Sequence, residues 1–237
     1  MKITTDLHCH TVASDHAYST VLENAKAAAA MGLEAIAITD HAPAIQDAAH
    51  PWHFCCLKEL PEKICGVKII GGAEVNISDT EGTLDLPEWI MKDMKIVIAS
   101  IHNEVFLNTD FNDNTKAYLS MLENKYVDII GHSGNPRHSY DIDVVLKRAK
   151  ELGKMIEINN KSFAARPENR ELCTKIAMRA KELGVGIVVN SDAHFCEYVG
   201  VFDEAVKMLR EIEFPEKLIM NRSYETIKNA LAPRKII

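Results

Sequence analysis

The sequence predicts an α/β fold in which seven parallel strands close into an irregular barrel. Short apolar runs alternate with segments of helical composition along the whole chain of 237 residues, which is the pattern of repeated βα units. Six of the seven runs end at or just before a histidine, aspartate or glutamate. Parallel strands send their carboxyl ends to one side. Polar residues at so many strand ends therefore favour a closed barrel over an open sheet, which uses only one crevice.

Seven apolar runs have the length and composition of buried strands. They cover residues 2–7, 35–39, 67–72, 96–101, 128–131, 155–158 and 186–191. Short runs of this kind, bounded by turns or helical segments, are typical of strands that are buried on both faces of a parallel sheet. We expect each run to end on the side of the barrel that carries the functional site.

The segments between these runs predict helices. They cover residues 22–31, 114–125, 141–152, 169–183, 201–212 and 223–231. The first helix is alanine-rich and has Ser19 as its candidate N-cap. Gly32, Gly153 and Gly184 follow three of the segments, where glycine most readily ends a helix. Residues 43–61 show no clear period, and we interpret them as a long loop over the site that could act as a lid.

Composition narrows the classes of function. Apolar residues make up 47% of the chain, enough for a large core, and the net charge is -7 at pH 7. This balance disfavours nucleic-acid binding, which needs a basic surface. The six cysteines form no C-x-x-C pair, and no apolar stretch has the length of a membrane span or the pattern of a signal peptide. We therefore expect a cytoplasmic protein with reduced thiols and no membrane partner.

The polar residues at the strand ends are mostly histidines. His8 and His10 are two residues apart, which points both rings to one face of a strand, and Asp192 and His194 repeat this spacing. A single histidine at a strand end is more often structural, but the shared location of the whole set favours metal binding. Neutral imidazoles and carboxylates on one face suit zinc or a similar divalent ion. The remaining candidates are His16, His41, Glu74, His102 and His132.

Three further residues are candidates for roles beside the metals. Asp40 precedes His41, where a carboxylate would orient the imidazole or donate a proton, with helix or turn capping as the alternative. Arg137 and Arg166 follow strand ends by several residues. A guanidinium presents the planar fork that suits phosphate, although each arginine alone is more often a surface residue. The histidines left out of the metal set are His50, His53 and His138.

The order and spacing of these residues resemble the PHP superfamily, named for polymerase and histidinol phosphatase. The matching segments are Asp6-Leu-His-Cys-His10, Thr39-Asp-His41, Gly131-His132 and Ser191-Asp-Ala-His194, together with His16, Glu74 and His102. Gly131-His-Ser-Gly-Asn-Pro136 and Glu157-Ile-Asn-Asn160 further resemble the YcdX-like phosphatases. The resemblance covers almost the full chain. It implies a single PHP domain, residues 1–237, folded as a distorted (β/α)7 barrel with its active site at the C-terminal ends of the strands.

The same resemblance implies a centre of three divalent metal ions, most often zinc, with manganese and iron as alternatives. His8, His10, Glu74 and Asp192 would hold one ion, Glu74, His102 and His132 a second, and His16, His41 and His194 the third. In this arrangement Glu74 bridges two ions. Cys9 lies between the first two ligands, and alternation along the strand is expected to turn its thiol away from them.

These residues predict a metal-dependent phosphatase that acts on a small phosphate monoester. Divalent ions would give an acidic chain a positive pocket for phosphate, and a metal-activated hydroxide would attack phosphorus in line. The alternatives are a phosphodiesterase or exonuclease of the PHP type, a C–N hydrolase of the amidohydrolase type, and a non-catalytic metal-binding module. The lack of a basic channel disfavours the exonuclease. Histidinol phosphate is one possible substrate, and the sequence singles out no general acid and no oligomeric state.

Overall fold

The structure, a computed structural model, describes residues 1–165 and 168–232. Seven parallel strands lie in the order in which the chain forms them, and an eighth, β3, pairs antiparallel with β4. The strands are β1 (Thr5–Cys9), β2 (Ala35–Ile38), β3 (Lys63–Ile64), β4 (Val67–Asn76), β5 (Ile96–Ser100), β6 (Ile129–Ile130), β7 (Met155–Asn159) and β8 (Ile187–Asn190). The seven parallel strands are those that the sequence predicts.

The sheet closes on itself through a seam between β1 and β8. Cys9 pairs with Ala193 just beyond the end of β8. Towards the other end of the seam, the side chain of Asn221 fills the gap between the two strands. Its Nδ2 donates to the carbonyl oxygens of Thr5 at 2.9 Å and Val189 at 2.6 Å, and its Oδ1 accepts from the backbone N–H of Val189 at 2.9 Å. A side chain therefore replaces part of the backbone ladder, which makes the barrel irregular.

Helices connect the strands around the barrel. In the described ranges they are α1 (Val21–Ala30), α2 (Pro51–Cys56), α3 (Glu88–Met91), α4 (Phe111–Leu122), α5 (Ile142–Glu151), α6 (Lys161–Ala165), α7 (Asn169–Leu183), α8 (Asp203–Glu211) and α9 (Tyr224–Leu231). All six predicted helices form. The N-cap of α1 is Thr20, whose hydroxyl accepts from the backbone N–H of Glu23, and not the predicted Ser19. The start of α4 is earlier than predicted because Asp110 caps it.

The segment 43–61 is not the continuous loop that the sequence predicts. The helix α2 begins at Pro51, whose fixed φ suits the first helical turn. Its N-cap is His50, which accepts from the backbone N–H of Trp52 at 3.2 Å. The helix has six residues and buries only Phe54. A helix this short produces no apolar period that could be recognised in the sequence.

Apolar side chains pack on both faces of the sheet and fill the barrel below the carboxyl ends of the strands. Alternate residues such as Ala35 and Ala37 face the barrel interior, where Ile227 and Leu231 of α9 pack against the same apolar layer. At Gly72 the packing is so close that a Cβ atom would lie 2.5 Å from a side-chain carbon of its neighbour on β5. The interior is therefore filled below the strand ends, and polar side chains can converge only above it.

A β-bulge in β1 aims the first histidine of the chain into the barrel. The bulge lies between Asp6 and Cys9, where β1 has one residue more than β2. An extra residue interrupts the strict alternation of faces. Leu7 consequently packs in the inner apolar layer while His8 also directs its ring inward, to Glu74. Cys9 packs in the outer apolar layer, which confirms that its thiol turns away from the histidines.

Two further features concern membrane-spanning segments and the state of the cysteines. No helix in residues 1–165 and 168–232 is long and apolar enough to cross a membrane. The six cysteines all lie within these ranges, and each has a free thiol. Burial raises the pKa of the Cys173 thiol to about 12, so this buried cysteine remains protonated at neutral pH.

Candidate metal centre

The nine side chains that the sequence singles out as ligands meet at the carboxyl ends of the strands. Three groups bring their ligand atoms within 4.8 Å of one another: His10, His41 and His194; His8, His10 and Glu74; and His41, Glu74 and His102. The other three candidates, His16, His132 and Asp192, contact members of these groups. Residues from almost the whole length of the chain therefore form one cluster.

One oxygen of the buried Glu74 carboxylate faces three imidazoles. Its Oε2 lies 2.8 Å from Nδ1 of His41, 3.3 Å from Nε2 of His8 and 3.6 Å from Nε2 of His10. Glu74 reaches this position because β4 is the longest strand and carries it two residues past Gly72. The oxygen therefore faces rings from the end of β1 and from His41, three residues past the end of β2.

The other oxygen of Glu74 faces a separate pair of imidazoles. Its Oε1 lies 2.8 Å from Nε2 of His132 and 3.5 Å from Nε2 of His102. The hydroxyl of Ser100 donates to the same oxygen at 2.7 Å and fixes the plane of the carboxylate. The two oxygens thus belong to two different sets of nitrogen atoms, which is the geometry of a bridging carboxylate.

The remaining candidates line the side of the cluster that β8 supplies. Oδ1 of Asp192 lies 3.3 Å from Nε2 of His10 and 3.3 Å from Nδ1 of His194. The backbone of Asp192 has φ of 56°, a conformation that non-glycine residues seldom adopt and that recurs at functional sites. Nε2 of His16 lies 3.1 Å from Nε2 of His41, so the loop after β1 closes the cluster.

Several atoms of the cluster are buried without a hydrogen-bond partner among the described residues. They are Nε2 of His8, both ring nitrogens of His10, Nδ1 of His41 and Oε2 of Glu74. A buried polar atom left unsatisfied costs about 1–3 kcal/mol, so such atoms seldom gather in one place without a ligand. Divalent ions bound by imidazole and carboxylate would satisfy Oε2 of Glu74 and one nitrogen of each ring, and this donor set fits zinc.

Electrostatics keep two of the rings in the form that binds metal. Burial lowers the pKa of His10, and the neighbouring rings of His41 and His194 lower it further. Burial also lowers the pKa of His102 to about 3, although the Glu74 carboxylate opposes the shift. Both imidazoles are therefore neutral near pH 7, which leaves a nitrogen lone pair free for a cation.

Glu157 supports two of the candidate ligands, a role that the sequence analysis did not assign. Its Oε1 lies 2.8 Å from Nδ1 of His8, and its Oε2 accepts from the backbone N–H of His132 at 2.7 Å. Burial lowers the pKa of His8, but the carboxylates of Glu157, Glu74 and Asp192 outweigh it and hold that pKa well above its ordinary value. A site that attracts a proton this strongly also attracts a divalent cation, which can replace the proton.

Two more side chains orient candidate ligands in the same way. Oδ1 of Asn76 lies 2.6 Å from Nδ1 of His102, and Oδ2 of Asp47 lies 2.8 Å from Nδ1 of His16. Asn76 is two residues after Glu74 and on the same face of β4, so strand alternation offered a signal for it. Asp47 lies in an irregular segment where the sequence gives no such signal.

Asp40 is buried next to the cluster, where it joins loop to strand. Its carboxylate accepts from the backbone N–H of Thr11 at 2.7 Å and the hydroxyl of Ser14 at 2.9 Å, and it lies 3.0 Å from Nε2 of His53. These contacts tie the loop that carries His16 to the end of β2. These hydrogen bonds explain how His16, in the loop after β1, reaches the centre.

The cations that the sequence proposes for phosphate binding are placed less directly. Arg137 is exposed in a single helical turn, Pro136–His138, that follows β6. Arg166 lies outside the described residues. A third cation, Lys161 at the start of α6, has its Nζ 2.9 Å from Nδ1 of His194 and 3.6 Å from Oδ1 of Asp192. No motif in the sequence indicated this lysine.

The fold is a parallel α/β barrel with a cluster of candidate metal ligands at the carboxyl ends of its strands. Residues 6–166 match the family model of the PHP domain, and the chain belongs to that family. It is 49% identical over 237 residues to a protein named probable phosphatase from Caldanaerobacter subterraneus subsp. tengcongensis, covering 99% of this chain and 93% of the relative. It is 44% identical over 235 residues to a probable phosphatase from Acetivibrio thermocellus, covering 99% and 98%.

Solved structures share the fold at low sequence identity. The histidinol phosphate phosphatase of Lactococcus lactis subsp. lactis, crystallised with zinc, L-histidinol and phosphate, aligns with a TM-score of 0.65 at 19% identity, covering 90% of this chain and 94% of that chain. A chain of archaeal ribonuclease P with mature tRNA aligns with a TM-score of 0.61 at 14% identity, covering 97% and 90%. These likenesses confirm the predicted distorted (β/α)7 barrel.

Proposed function

We propose that the protein is a metal-dependent phosphatase that hydrolyses a small phosphate monoester at a centre of three divalent ions. The observation that carries the proposal is the Glu74 carboxylate, whose two oxygens face separate sets of buried imidazoles. Membership of the PHP family and relatives named probable phosphatase support the reaction class. The structural neighbour crystallised with zinc and phosphate supports both the metal and the small substrate.

Most of the contacts support the assignment of ligands to ions; the exception is His41, assigned to the third ion, whose Nδ1 lies 2.8 Å from Oε2 of Glu74. His8, His10 and Asp192 would share the first ion with Oε2 of Glu74, and His102 and His132 would share the second with Oε1. His16, His41 and His194 would hold the third, because the rings of His16 and His194 are stacked with centroids 4.8 Å apart beside His41. Zinc suits the nitrogen-rich set, with manganese and iron as alternatives.

The ions and the side chains of the protein would have different roles in the reaction. Divalent ions at this site would supply Lewis acidity, which activates water and neutralises the phosphate oxygens. The chain holds the ligand rings in place through Glu157, Asn76 and Asp47. In the hydrolysis, the ester P–O bond breaks, a water oxygen bonds to phosphorus, and a proton from water passes to the leaving oxygen. The products are an alcohol and inorganic phosphate.

The phosphate would bind in a cleft of about 250 Å³ over the cluster, whose lining includes His41, His102 and His132. Lys161 lines this cleft with its side chain 45% exposed, and its Nζ lies 2.9 Å from Nδ1 of His194. We add it to Arg166 and Arg137 as a candidate phosphate-binding cation, since a lysine ammonium serves as a point charge for phosphate. Asp40 is less suited to act as the general acid, because its carboxylate already accepts several hydrogen bonds.

Two further proposals concern the bounds of the domain and the cellular compartment of the protein. The family match ends at residue 166, but Asp192 and His194 come from the loop after β8, so we propose that residues 1–237 form one PHP domain. The six free thiols support a reducing compartment, and we propose that the protein is cytoplasmic.

A matched pair of esters tests the reaction class. The zinc-loaded protein should release 4-nitrophenol faster from 4-nitrophenyl phosphate than from bis(4-nitrophenyl) phosphate, because a monoester offers one more anionic oxygen to the metals. Faster cleavage of the diester, or faster release of nucleotides from single-stranded DNA than of phosphate from any monoester, would favour the phosphodiesterase instead.

A further inference from the structure

A second cleft opens beside the metal centre, and three Phe or Tyr side chains contribute to its lining. It encloses about 430 Å³ and includes Tyr18, Phe195, Tyr198 and Val201 in its lining. Tyr18 and Tyr198 are 73% and 61% exposed, and the rings of Phe195 and Tyr198 stand edge to face with centroids 6.4 Å apart. Exposed aromatic rings gathered in one concavity are typical of a ligand site, whereas single exposed rings are ordinary.

This aromatic cleft is continuous with the phosphate cleft. Both clefts are lined by Lys161, Asp192 and His194, so the two form adjoining parts of one concave surface. The charged lining residues, Lys161 and Asp192, lie at this shared boundary, and the rest of the aromatic cleft is lined by uncharged side chains. A molecule with an anionic end at the metals can therefore place an uncharged, flat portion against the aromatic side chains.

The aromatic wall is anchored to the loop that carries a candidate metal ligand. The backbone N–H of Tyr18 donates to the carbonyl oxygen of His194 at 2.8 Å. The backbone N–H of Cys196, next to Phe195, donates to the hydroxyl of Ser19 at 2.8 Å. The wall is therefore built before a ligand arrives, and binding against it avoids the entropic cost of ordering a loop.

We propose that the substrate is a phosphate monoester whose leaving alcohol carries a planar aromatic or heteroaromatic ring, which binds against Phe195 and Tyr198. The inference rests on the proposed phosphatase function, because that function places the phosphate beside the shared boundary of the clefts. Hydrolysis breaks the ester P–O bond, adds the water oxygen to phosphorus and transfers a proton to the leaving oxygen. The released alcohol keeps its ring.

Benzyl phosphate and ethyl phosphate test this subsite, because both release a primary alcohol and differ mainly in the ring. The zinc-loaded protein should show the higher kcat/KM for benzyl phosphate. The ratio of the two kcat/KM values should fall ~3- to 10-fold in Tyr198→Ala and in Phe195→Ala, the scale of an aromatic ring contact. The matched control is Trp89→Ala, since Trp89 is 59% exposed on α3 outside both clefts, and it should leave the ratio unchanged.

Equal kcat/KM for the two esters in the unaltered protein would overturn the proposal. A ratio that survives both Tyr198→Ala and Phe195→Ala would overturn it too, provided that both variants keep their zinc and their circular dichroism spectra.

A binding measurement separates failure of the subsite from failure of the phosphatase function. Benzylphosphonate and ethylphosphonate cannot be hydrolysed, and calorimetry on the zinc-loaded protein gives their affinities. Tighter binding of benzylphosphonate, lost in Tyr198→Ala, supports the subsite even if neither ester is hydrolysed. Equal binding of the two phosphonates overturns the subsite even if both esters are hydrolysed.

Discussion

Nδ1 of His8 lies 2.8 Å from the carboxylate of Glu157, and both side chains are fully buried. This contact turns the opposite nitrogen of the ring to Glu74, 3.3 Å away. A carboxylate behind a ligand histidine fixes the orientation of the ring and makes the free nitrogen a better donor. Glu157 is therefore placed to orient His8 toward any metal ion that the cluster binds, without being a candidate ligand itself.

Removing the charge of Glu157 should weaken metal binding. In Glu157→Gln we expect zinc affinity to fall ~10- to 100-fold, the effect typical of a lost orienting carboxylate. Competition with a chromophoric chelator measures the change. The control is Glu171→Gln on α7, which removes an exposed carboxylate whose ion-pair partner among the described residues is Lys175, and it should leave the affinity unchanged. Equal affinities for both variants would show that Glu157 has no effect on the centre.

Glu74 should matter more for metal content than a ligand at the edge of the cluster. Elemental analysis of the protein purified without chelator should find about two to three divalent ions per chain. Glu74→Gln should lose more metal than His16→Ala, because a bridging carboxylate holds two ions and His16 holds one. A content of one ion or fewer in the unaltered protein would contradict the centre of three ions.

The candidate ligands could be predicted from the sequence because strand geometry determines where they lie. Short apolar runs give the strands, and parallel strands bring their ends together, so residues as distant as His8 and His194 were expected to meet. The β-bulge in β1 was not predictable, since it arises from pairing with β2. It nevertheless leaves His8 and His10 facing the centre.

The residues around the ligands were harder to predict because loops place them. Asp47 reaches His16 from an irregular segment, and Lys161 reaches His194 from the start of a five-residue helix. Neither contact follows from a periodic pattern. The same holds for α2, which begins at Pro51 but buries only Phe54. Tertiary contacts determine the conformation of such segments, and a single sequence contains little information about those contacts.

The candidate phosphate-binding cations should act mainly on substrate binding. Arg166→Ala should raise KM roughly ten- to a hundredfold, the scale of a charge-assisted hydrogen bond of about 1.5–3 kcal/mol, with a smaller effect on kcat. Arg166→Lys should recover only part of this, because an ammonium lacks the planar fork. Inhibition by inorganic phosphate should weaken in parallel while the metal content stays constant.

Lys161→Ala should raise KM in the same direction but by less, since the exposed ammonium is screened by solvent. Arg137→Ala is the comparison, because Arg137 is exposed after β6. A rise in KM confined to Arg137→Ala would indicate that Arg137 is the residue that binds phosphate.

The seam of the barrel should depend on Asn221. In Asn221→Ala the backbone groups of Thr5 and Val189 lose their buried partner, and we expect the free energy of unfolding to fall by about 3 kcal/mol. Urea denaturation followed by circular dichroism measures the change. Asn229→Ala on α9 removes an exposed amide and should change stability by less than about 0.5 kcal/mol. Similar stabilities for the two variants would show that the seam does not need the Asn221 side chain.

Reversible dependence of phosphate release on metal tests the central claim most directly. Release of inorganic phosphate from 4-nitrophenyl phosphate is measured on one preparation as purified, after chelation and dialysis, and after zinc or manganese is added back. We expect hydrolysis to disappear with the metal and to return with it, and Glu74→Gln to remain inactive at the same added metal concentration. Hydrolysis that persists in the chelated protein would contradict a metal-dependent phosphatase. The absence of hydrolysis with both zinc and manganese would contradict it as well.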